Sequence, residues 1–506
     1  MSQFIASPYL IAFIAGILAV FGFAPFDFFL LPVLMLAVLF WLWSRAEHSW
    51  QAAGLGFAFG MGLFTIGIGW IYIALHEYGH MHPVLAVLAL LLFAAVNATL
   101  PALAGYLQAR CRAPSGVRIL LLIPALWTLA EWVRGFLFTG FPWLSVGYSQ
   151  APHSPLAGYA PLLGVYGVSL VVAVSAGLLS FIVHRAIPFR TKWERERVRR
   201  LRVQMIALLA LTWTVGAALK FIEWTQPQGE TFKVSLLQGN IAQEEKFEEG
   251  RLIGTLETYR RLAQSSDARL IVMPETALPL LRDNVPANYQ AILRAHVQQN
   301  GGDILIGAFE KENGNYYNSV YSLGSSKSQH YRKSHLVPFG EFIPLRSALG
   351  WLINEVLQIP MGDLASGGVT QAPLNVAGQK VAVNICYEDA FGAEIIRALP
   401  EATLLVNVTN DAWYGDSHAA IQHNQLSQMR ALETGRMMLR ATNTGVTSVI
   451  GTDGRVQAML PQHEEGVLTA QVQGYAGSTP YVRWGNAAML LLNVMMLLVA
   501  WRLRGK

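Results

Sequence analysis

Residues 381–389 read VAVNICYED, a short apolar run that passes directly into a cysteine, a tyrosine and two carboxylates. A run of that length and β-branched content reads as a buried strand. Where such a strand ends on ionisable side chains, it ends where α/β folds place their chemistry. The same grammar recurs on both sides. FKVSLLQGN (232–240), ARLIVMPET (268–276), DILIGAFE (303–310), NSVYSLG (318–324), TLLVNVTND (403–411) and TSVIGTDG (447–454) read as strands, two of them ending on Glu275 and on Asn410 with Asp411. Between them, GRLIGTLETYRRLAQSS (250–266), PANYQAILRAHVQQN (286–300) and AIQHNQLSQMRALETGRMMLRATN (420–443) carry helical spacing. This alternation predicts a layered α/β domain over residues 225–482.

Outside that stretch the chain changes character. Of 506 residues, 53% are hydrophobic and 14% charged, where about 25% charged is usual for a soluble protein. Too little charge is present to cover a water-exposed surface, and the same figures exclude disorder. With only Cys111 and Cys386, a disulfide scaffold is excluded too. Residues 1–224 carry 14 basic and 7 acidic side chains, residues 225–482 carry 19 and 25, and the last 24 carry 4 and none. The net +5 therefore sits beside apolar segments and does not indicate a nucleic-acid partner.

A helix needs about 20 mainly apolar residues to span the hydrocarbon core. Seven such stretches precede the α/β part: 8–24, 29–44, 53–75, 83–106, 117–134, 161–183 and 203–222; an eighth, 486–503, follows it. The expected organisation is a membrane domain at 1–224, a soluble domain at 225–482, and an eighth span with a cytoplasmic tail at 483–506. The first stretch lacks a basic flank and a small-residue cleavage site, so it does not read as a signal peptide. Lys and Arg mark the cytoplasmic loops. Arg45, then Arg110, Arg112 and Arg118, then eight residues from Arg185 to Arg202, and finally Arg502, Arg504 and Lys506 fall on alternate loops. That pattern predicts both termini inside and the soluble domain outside.

Three features of the membrane part carry expectations. Gly54, Gly56, Gly60, Gly62, Gly67 and Gly69 in the third stretch suit close helix packing. The uncharged loop GFPWLS (140–145), with Pro142 and Trp143, reads as an interfacial anchor or a lipid-contacting surface. Glu131 and Arg134 lie one helical turn apart and are expected to pair locally.

Cys386 is the most telling residue of the soluble domain. Its only conceivable disulfide partner, Cys111, lies on the predicted cytoplasmic side between Arg110 and Arg112. A lone thiol in an exported domain is either buried and inert or reactive. A nucleophilic thiol needs a base for its proton and a cation beside the thiolate. Glu275 in MPET, and Lys333 and Glu341 in YRKSHLVPFGE, are candidates, though spacing alone does not show that they meet.

MPET, YRKSHLVPFGEFIP and NICYEDAF, in that order, resemble the Glu–Lys–Cys segments of the nitrilase (carbon–nitrogen hydrolase) superfamily. NDAWYG (410–415) and RALETGRMMLRATNTG (430–445) are similar to its C-terminal half. Set between seven apolar stretches and one more, and joined by TGFPWLSVGYSQ (139–150) and LLQGNI (236–241), they resemble the apolipoprotein N-acyltransferases of the bacterial inner membrane. The resemblance implies a polytopic α-helical membrane protein carrying an α-β-β-α sandwich on the periplasmic side. It also implies roles: Glu275 as general base, Cys386 as nucleophile, Lys333 stabilising thiolate and oxyanion, with Glu341, Tyr387 and Glu388 in support. The implied reaction takes an sn-1 acyl chain from a phospholipid onto Cys386 as a thioester. It then passes the chain to the α-amino group of a diacylglyceryl-cysteine in an apolipoprotein. No cofactor, metal or nucleic acid is implied, and the expected state is a monomer in contact with membrane lipid.

Three other readings compete. HEYGH (76–80) fits H-E-x-x-H, which on a helix would offer His76 and His80 to zinc with Glu77 as base, as in an intramembrane protease. Gly79 and the following MHP favour a loop, and Asp27 is only a distant third ligand. A membrane-tethered amidase would use the same triad. A non-catalytic receptor or transporter would leave Glu275, Lys333 and Cys386 without a reason.

Overall fold

The computed structural model describes residues 7–111, 113–184, 192–244, 246, 248–342 and 363–504. Of the basic residues that orient the chain, Arg112, Arg185, Arg190 and Lys506 lie outside the described residues. The chain divides into two compact units. One comprises Met1–Gly69, Val87–Glu223 and Arg483–Lys506; the other comprises Trp70–Ala86 and Trp224–Val482.

The first unit is helical. Each of the eight apolar stretches contains a helix, but they differ in length. Pro83–Arg110, Ser115–Arg134, Pro155–Val183 and Val198–Leu219 are long and apolar enough to cross a membrane, and the broken pair Ser49–Gly67 and Trp70–Tyr78 makes a fifth if it is one span. Pro8–Val20, with 13 residues, and Leu30–Arg45 and Ala487–Arg502, with 16 each, are shorter apolar helices. Glycine sets the helix spacing here. A Cβ on Gly62 would stand 2.1 Å from the Phe13 carbonyl oxygen, and one on Gly16 would stand 2.0 Å from that of Phe59. Helices Pro8–Val20 and Ser49–Gly67 thus meet backbone to backbone.

The 140–145 loop of this unit departs from expectation. Trp143 is buried rather than interfacial. Arg134 donates from Nη1 to the carbonyls of Phe141 and Trp143, both at 2.5 Å, and from Nη2 to Ser145 Oγ at 3.1 Å. Glu131 Oε1 accepts from Trp127 Nε1 at 3.1 Å and from Val146 N–H at 3.0 Å. Both charges therefore fold the 141–146 segment inward, since buried backbone groups need partners where no water reaches.

The second unit contains two six-stranded sheets. The first has order β12-β1-β2-β3-β4-β5 and the second β11-β10-β9-β8-β7-β6. β1 (Thr225–Gln238), β2 (Leu270–Val272) and β3 (Asp303–Glu312) run parallel, as do β7 (Gln379–Ile385), β8 (Leu404–Thr409) and β9 (Met438–Thr442). The outer strands are antiparallel: β4 (Asn315–Gly324), β5 (His330–Arg332), β6 (Leu374–Val376), β10 (Ser448–Ile450), β11 (Val456–Met459) and β12 (Gly466–Gly477).

Side-chain alternation builds four layers from this topology. Val234, Leu236, Leu270 and Val272 point inward and pack on Val383, Ile385, Val406 and Val408 of the other sheet. The intervening Leu237, Ile271 and Met273 face Tyr259, Leu262, Leu293 and Val297 of helices Glu249–Gln264 and Ala287–Gln299. Ala382, Leu405 and Met438 likewise meet Ile395, Leu399 and Ala431 on the far side. A strand buried on both faces has to be apolar at every position, which is why these runs hardly alternate in sequence. The stretch 420–443, expected to be helical throughout, is not. Its helix ends at Thr434, Gly435 turns left-handed at φ 62°, and MLRAT continues as β9.

Candidate active site

Both sheets deliver their chemistry at the same end. Glu275 follows β2, Lys333 follows β5, and Cys386 follows β7 directly. Lys333 Nζ lies 2.8 Å from Glu341 Oε1 and 3.5 Å from Glu275 Oε1, with 1% of the lysine side chain exposed. Asn318 of β4 donates from Nδ2 to Glu275 Oε1 at 2.7 Å and to Glu341 Oε1 at 3.3 Å. The Asn410 N–H, from the end of β8, donates to Glu275 Oε2 at 2.9 Å. Glu275 is therefore pinned from both sheets, while Val337 N–H holds the second oxygen of Glu341 at 2.8 Å.

Cys386 sits at φ 54°, opening the single 3₁₀ turn Cys386–Ala390. A β-carbon in the left-handed region costs about 1–3 kcal/mol, a strain that persists only where neighbours over-determine it. Glu388 is one such neighbour. Its Oε2 accepts from Ile385 N–H at 2.6 Å, and its Oε1 accepts from Ser334 and His335 N–H at 2.6 and 3.0 Å. Tyr331 Oη donates to it as well, at 3.0–3.1 Å. One carboxyl thus joins the cysteine turn to the segment just beyond Lys333. Burial raises the Glu388 pKa to about 7, against the pull of the His335 and Ile385 amides and of Lys333. Tyr387 is buried, with its ring edge-on to Phe391 at 5.1 Å.

The electrostatics divide the roles. Burial pushes the Cys386 thiol above its ordinary pKa, and the Glu275 carboxylate adds to the rise, while Lys333 opposes it. The thiol therefore rests protonated, within the field of both Glu275 and Lys333. Burial alone would make Lys333 shed its proton, but Glu341 and Glu275 outweigh it and its pKa is raised. A permanent ammonium is what a developing oxyanion requires.

Sequence reasoning missed several members. Lys246, from the loop after β1, is buried and donates to the Glu275 carbonyl at 3.2 Å. Burial lowers its pKa to about 8, opposed by Glu275 and Cys386. Asn318 looked like an ordinary strand residue. His423 and Arg440 lie in the stretch with helical spacing, and both are fully buried. No local signal separates them from surface residues; only the adjacent polar run 422–425 hints at a buried network.

HEYGH takes another form. Ala74–Tyr78 makes a π-turn, His80 has φ 52°, and His76 Nδ1 lies 2.9 Å from the Met81 carbonyl. Among the described residues, no group of three His, Cys, Asp or Glu side chains is arranged to hold a metal ion. The segment instead packs on the loop after β8, Trp70 against Tyr414 at 4.7 Å and Tyr78 against Trp413 at 6.1 Å.

A two-sheet sandwich with Glu, Lys and Cys at one end defines a carbon–nitrogen hydrolase fold, and the family model described as carbon-nitrogen hydrolase matches residues 233–481. A second model, apolipoprotein N-acyltransferase N-terminal domain, matches residues 15–178. Apolipoprotein N-acyltransferase of Nitrosomonas europaea is 50% identical over 490 residues, 96% of this chain and 95% of that protein. That of Chromobacterium violaceum is 42% identical over 503 residues, 98% and 95% of the two chains. A solved CN-hydrolase superfamily protein from Xanthomonas campestris aligns with TM-score 0.36 and 16% identity, covering 52% of this chain and 97% of that one. The chain belongs to the apolipoprotein N-acyltransferase family. It is an acyltransferase of lipoprotein biosynthesis with apolar helices of membrane-spanning length.

Proposed function

We propose that the chain transfers an sn-1 acyl chain from a phospholipid to the α-amino group of a diacylglyceryl-cysteine at an apolipoprotein's N-terminus. Glu275 takes the Cys386 proton as the sulfur attacks the ester carbonyl, and Lys333 carries the charge of the tetrahedral oxygen. Collapse breaks the ester C–O bond, and the proton held by Glu275 goes to the leaving lysophospholipid. The acceptor amine then attacks the thioester carbonyl and loses a proton to Glu275, the C–S bond breaks, and Glu275 returns that proton to the Cys386 sulfur. Glu341, Tyr387 and Glu388 support this chemistry without reacting. The observation that carries the reading is the 3.5 Å approach of Lys333 to Glu275, both buried, beside a thiol whose charge state responds to each.

The membrane arrangement is part of the proposal. Eight helices cross the bacterial inner membrane as a monomer, with residues 1–224 and 483–506 as the membrane part and residues 225–482 on the periplasmic side. Alternation of Arg and Lys between loops supports that orientation. Both substrates are lipids of that leaflet, and an apolar site would favour aminolysis of the thioester over hydrolysis.

The test is direct. Purified protein in detergent is incubated with a phospholipid labelled in its sn-1 chain, and Cys386 is examined by mass spectrometry. Acyl mass that is released by hydroxylamine, absent from Cys386→Ser and chased by a diacylated lipopeptide is the expected outcome. An unmodified Cys386 in an active preparation overturns the proposal.

A further inference from the structure

Beneath the cysteine turn lies a charge cluster that this chemistry leaves unused. His423, Asp389, Asp411 and Arg440 are all buried. His423 Nδ1 stands 2.9 Å from Asp411 Oδ1, and its Nε2 stands 2.9 Å from Asp389 Oδ1. Carboxylates only accept, so each ring nitrogen carries a proton and the ring is an imidazolium. Arg440 takes the remaining oxygens, Nη1 to Asp389 Oδ2 and Nη2 to Asp411 Oδ2, both at 3.0 Å. Two cations against two anions make the cluster neutral, which is what permits its burial.

One atom joins this cluster to the nucleophile. His423 Nε2 is also 3.3 Å from the Cys386 carbonyl oxygen, and Asn407 Nδ2 donates to the same oxygen at 3.0 Å. Arg440 Nη1 in turn holds Asn407 Oδ1 at 2.7 Å. That carbonyl belongs to the residue at φ 54° whose side chain is the thiol.

We propose that His423 is a positioning residue for acyl transfer. As an imidazolium it holds the backbone carbonyl of Cys386, and with it the left-handed turn that carries the thiol. The inference rests on Cys386 being the nucleophile.

Charge facing the ring comes from every side. Asp389 reaches it from the cysteine turn, Asp411 from the segment after β8, and Arg440 from β9, while the Tyr414 ring stands 6.3 Å away. Burial and Arg440 act against its protonation, but Asp389 and Asp411 outweigh them and its pKa is raised. Asp411 stands below the usual carboxylate value, because Arg440 and His423 outweigh its burial. Loss of the second ring proton would leave two carboxylates and the Cys386 carbonyl competing for one N–H.

The experiment follows label from an sn-1-labelled phospholipid onto Cys386 in the full chain, in detergent, from about pH 6 to about pH 10. The wild-type rate is expected to fall on the alkaline side. His423→Gln is expected to acylate about 10- to 100-fold more slowly near neutral pH and to lack that fall. Asn407→Ala is expected to slow acylation but keep the fall at its wild-type position. Asp389→Asn removes one carboxylate from the ring, so the fall moves to lower pH by about one unit or more. A wild-type rate in His423→Gln, or an unshifted profile in Asp389→Asn, overturns the inference. If His423→Gln does not melt as a folded protein, the Asp389→Asn profile decides alone. Absence of label from wild-type Cys386 overturns the nucleophile assignment and this inference with it.

Discussion

Lys333 makes its shortest ion pair with Glu341, at 2.8 Å, and leaves Glu275 at 3.5 Å. The lysine is thus held chiefly by Glu341. Replacing Glu341 by Gln should let the ammonium close on Glu275 and hold it away from the thiol. Acylation of Cys386 should then slow by about 10²-fold, within the range of a general-base effect. Burst kinetics on labelled phospholipid check this; an unchanged burst rate would show that the pairing is structural only.

Removing the lysine itself should be worse on two counts. Lys333→Met leaves buried Glu275 and half-buried Glu341 together without a cation, a situation that costs about 3–5 kcal/mol when one partner of a buried pair is lost. The same change removes the oxyanion partner, worth about 10²–10³ in rate. Melting in detergent and acylation should both fall, and a variant that melts as wild type does would contradict the ion-pair account.

Lys246 should behave in the opposite sense. Its pKa is about 8 when folded against an ordinary 10.5, so the unfolded chain binds its proton more tightly. Stability from this group therefore rises as pH climbs from about 8 to about 10.5. Lys246→Met should raise the melting temperature at neutral pH and flatten that alkaline rise. A lower melting temperature at pH 7 would mean that the ammonium is a net structural support.

Glu388 supplies a pH dependence near neutrality. Its pKa is about 7 folded and ordinarily 4.5, so the folded state holds the proton more tightly. The contribution is fully present below about pH 4.5 and is lost as pH rises through about 7. Glu388→Gln, which cannot ionise, should lose less stability between pH 5 and pH 8 than wild type does. Identical melting curves across that range would rule the linkage out.

In the helical unit, Gly62→Val places carbon against the Phe13 carbonyl, where even a Cβ would stand at 2.1 Å. Overpacking of this kind costs about 1–3 kcal/mol, and a lower yield and melting temperature are expected. Gly69→Ala, where the nearest atom would be 3.5 Å away, is the control and should be near neutral.

Much of this protein is local in origin. Apolar runs of two lengths separate strands of the sandwich from helices of the first unit, because burial on both faces and immersion in hydrocarbon each demand unbroken hydrophobicity. The motifs around Glu275, Lys333 and Cys386 are legible for a related reason: they lie just beyond short strands, where few residues are free to vary the chemistry. The stretch 420–443 misled, since its helical spacing runs past Thr434, where the helix ends, and does not show that its polar residues form a buried network. The left-handed Gly435 and the β-structure after it were equally invisible, because RMMLRA suits a helix as well as a strand. Trp143 misled as well, since no local pattern announces that Arg134 will draw its carbonyl inward.

What the sequence determined by itself is the class of each segment and which ionisable groups stand at strand ends, because periodicity and residue type act over a few neighbours. What only the tertiary structure decided is which charges share a site. Glu275 and Lys333 stand 3.5 Å apart because two strands of one sheet end near each other, and Cys386 directly follows a strand of the other sheet. His423, Asp389, Asp411 and Arg440 neutralise one another because a helix, a turn, a loop and a strand converge there. Electrostatic balance in a buried site depends on distances of about 3–4 Å in space, and separation along the chain carries no record of them.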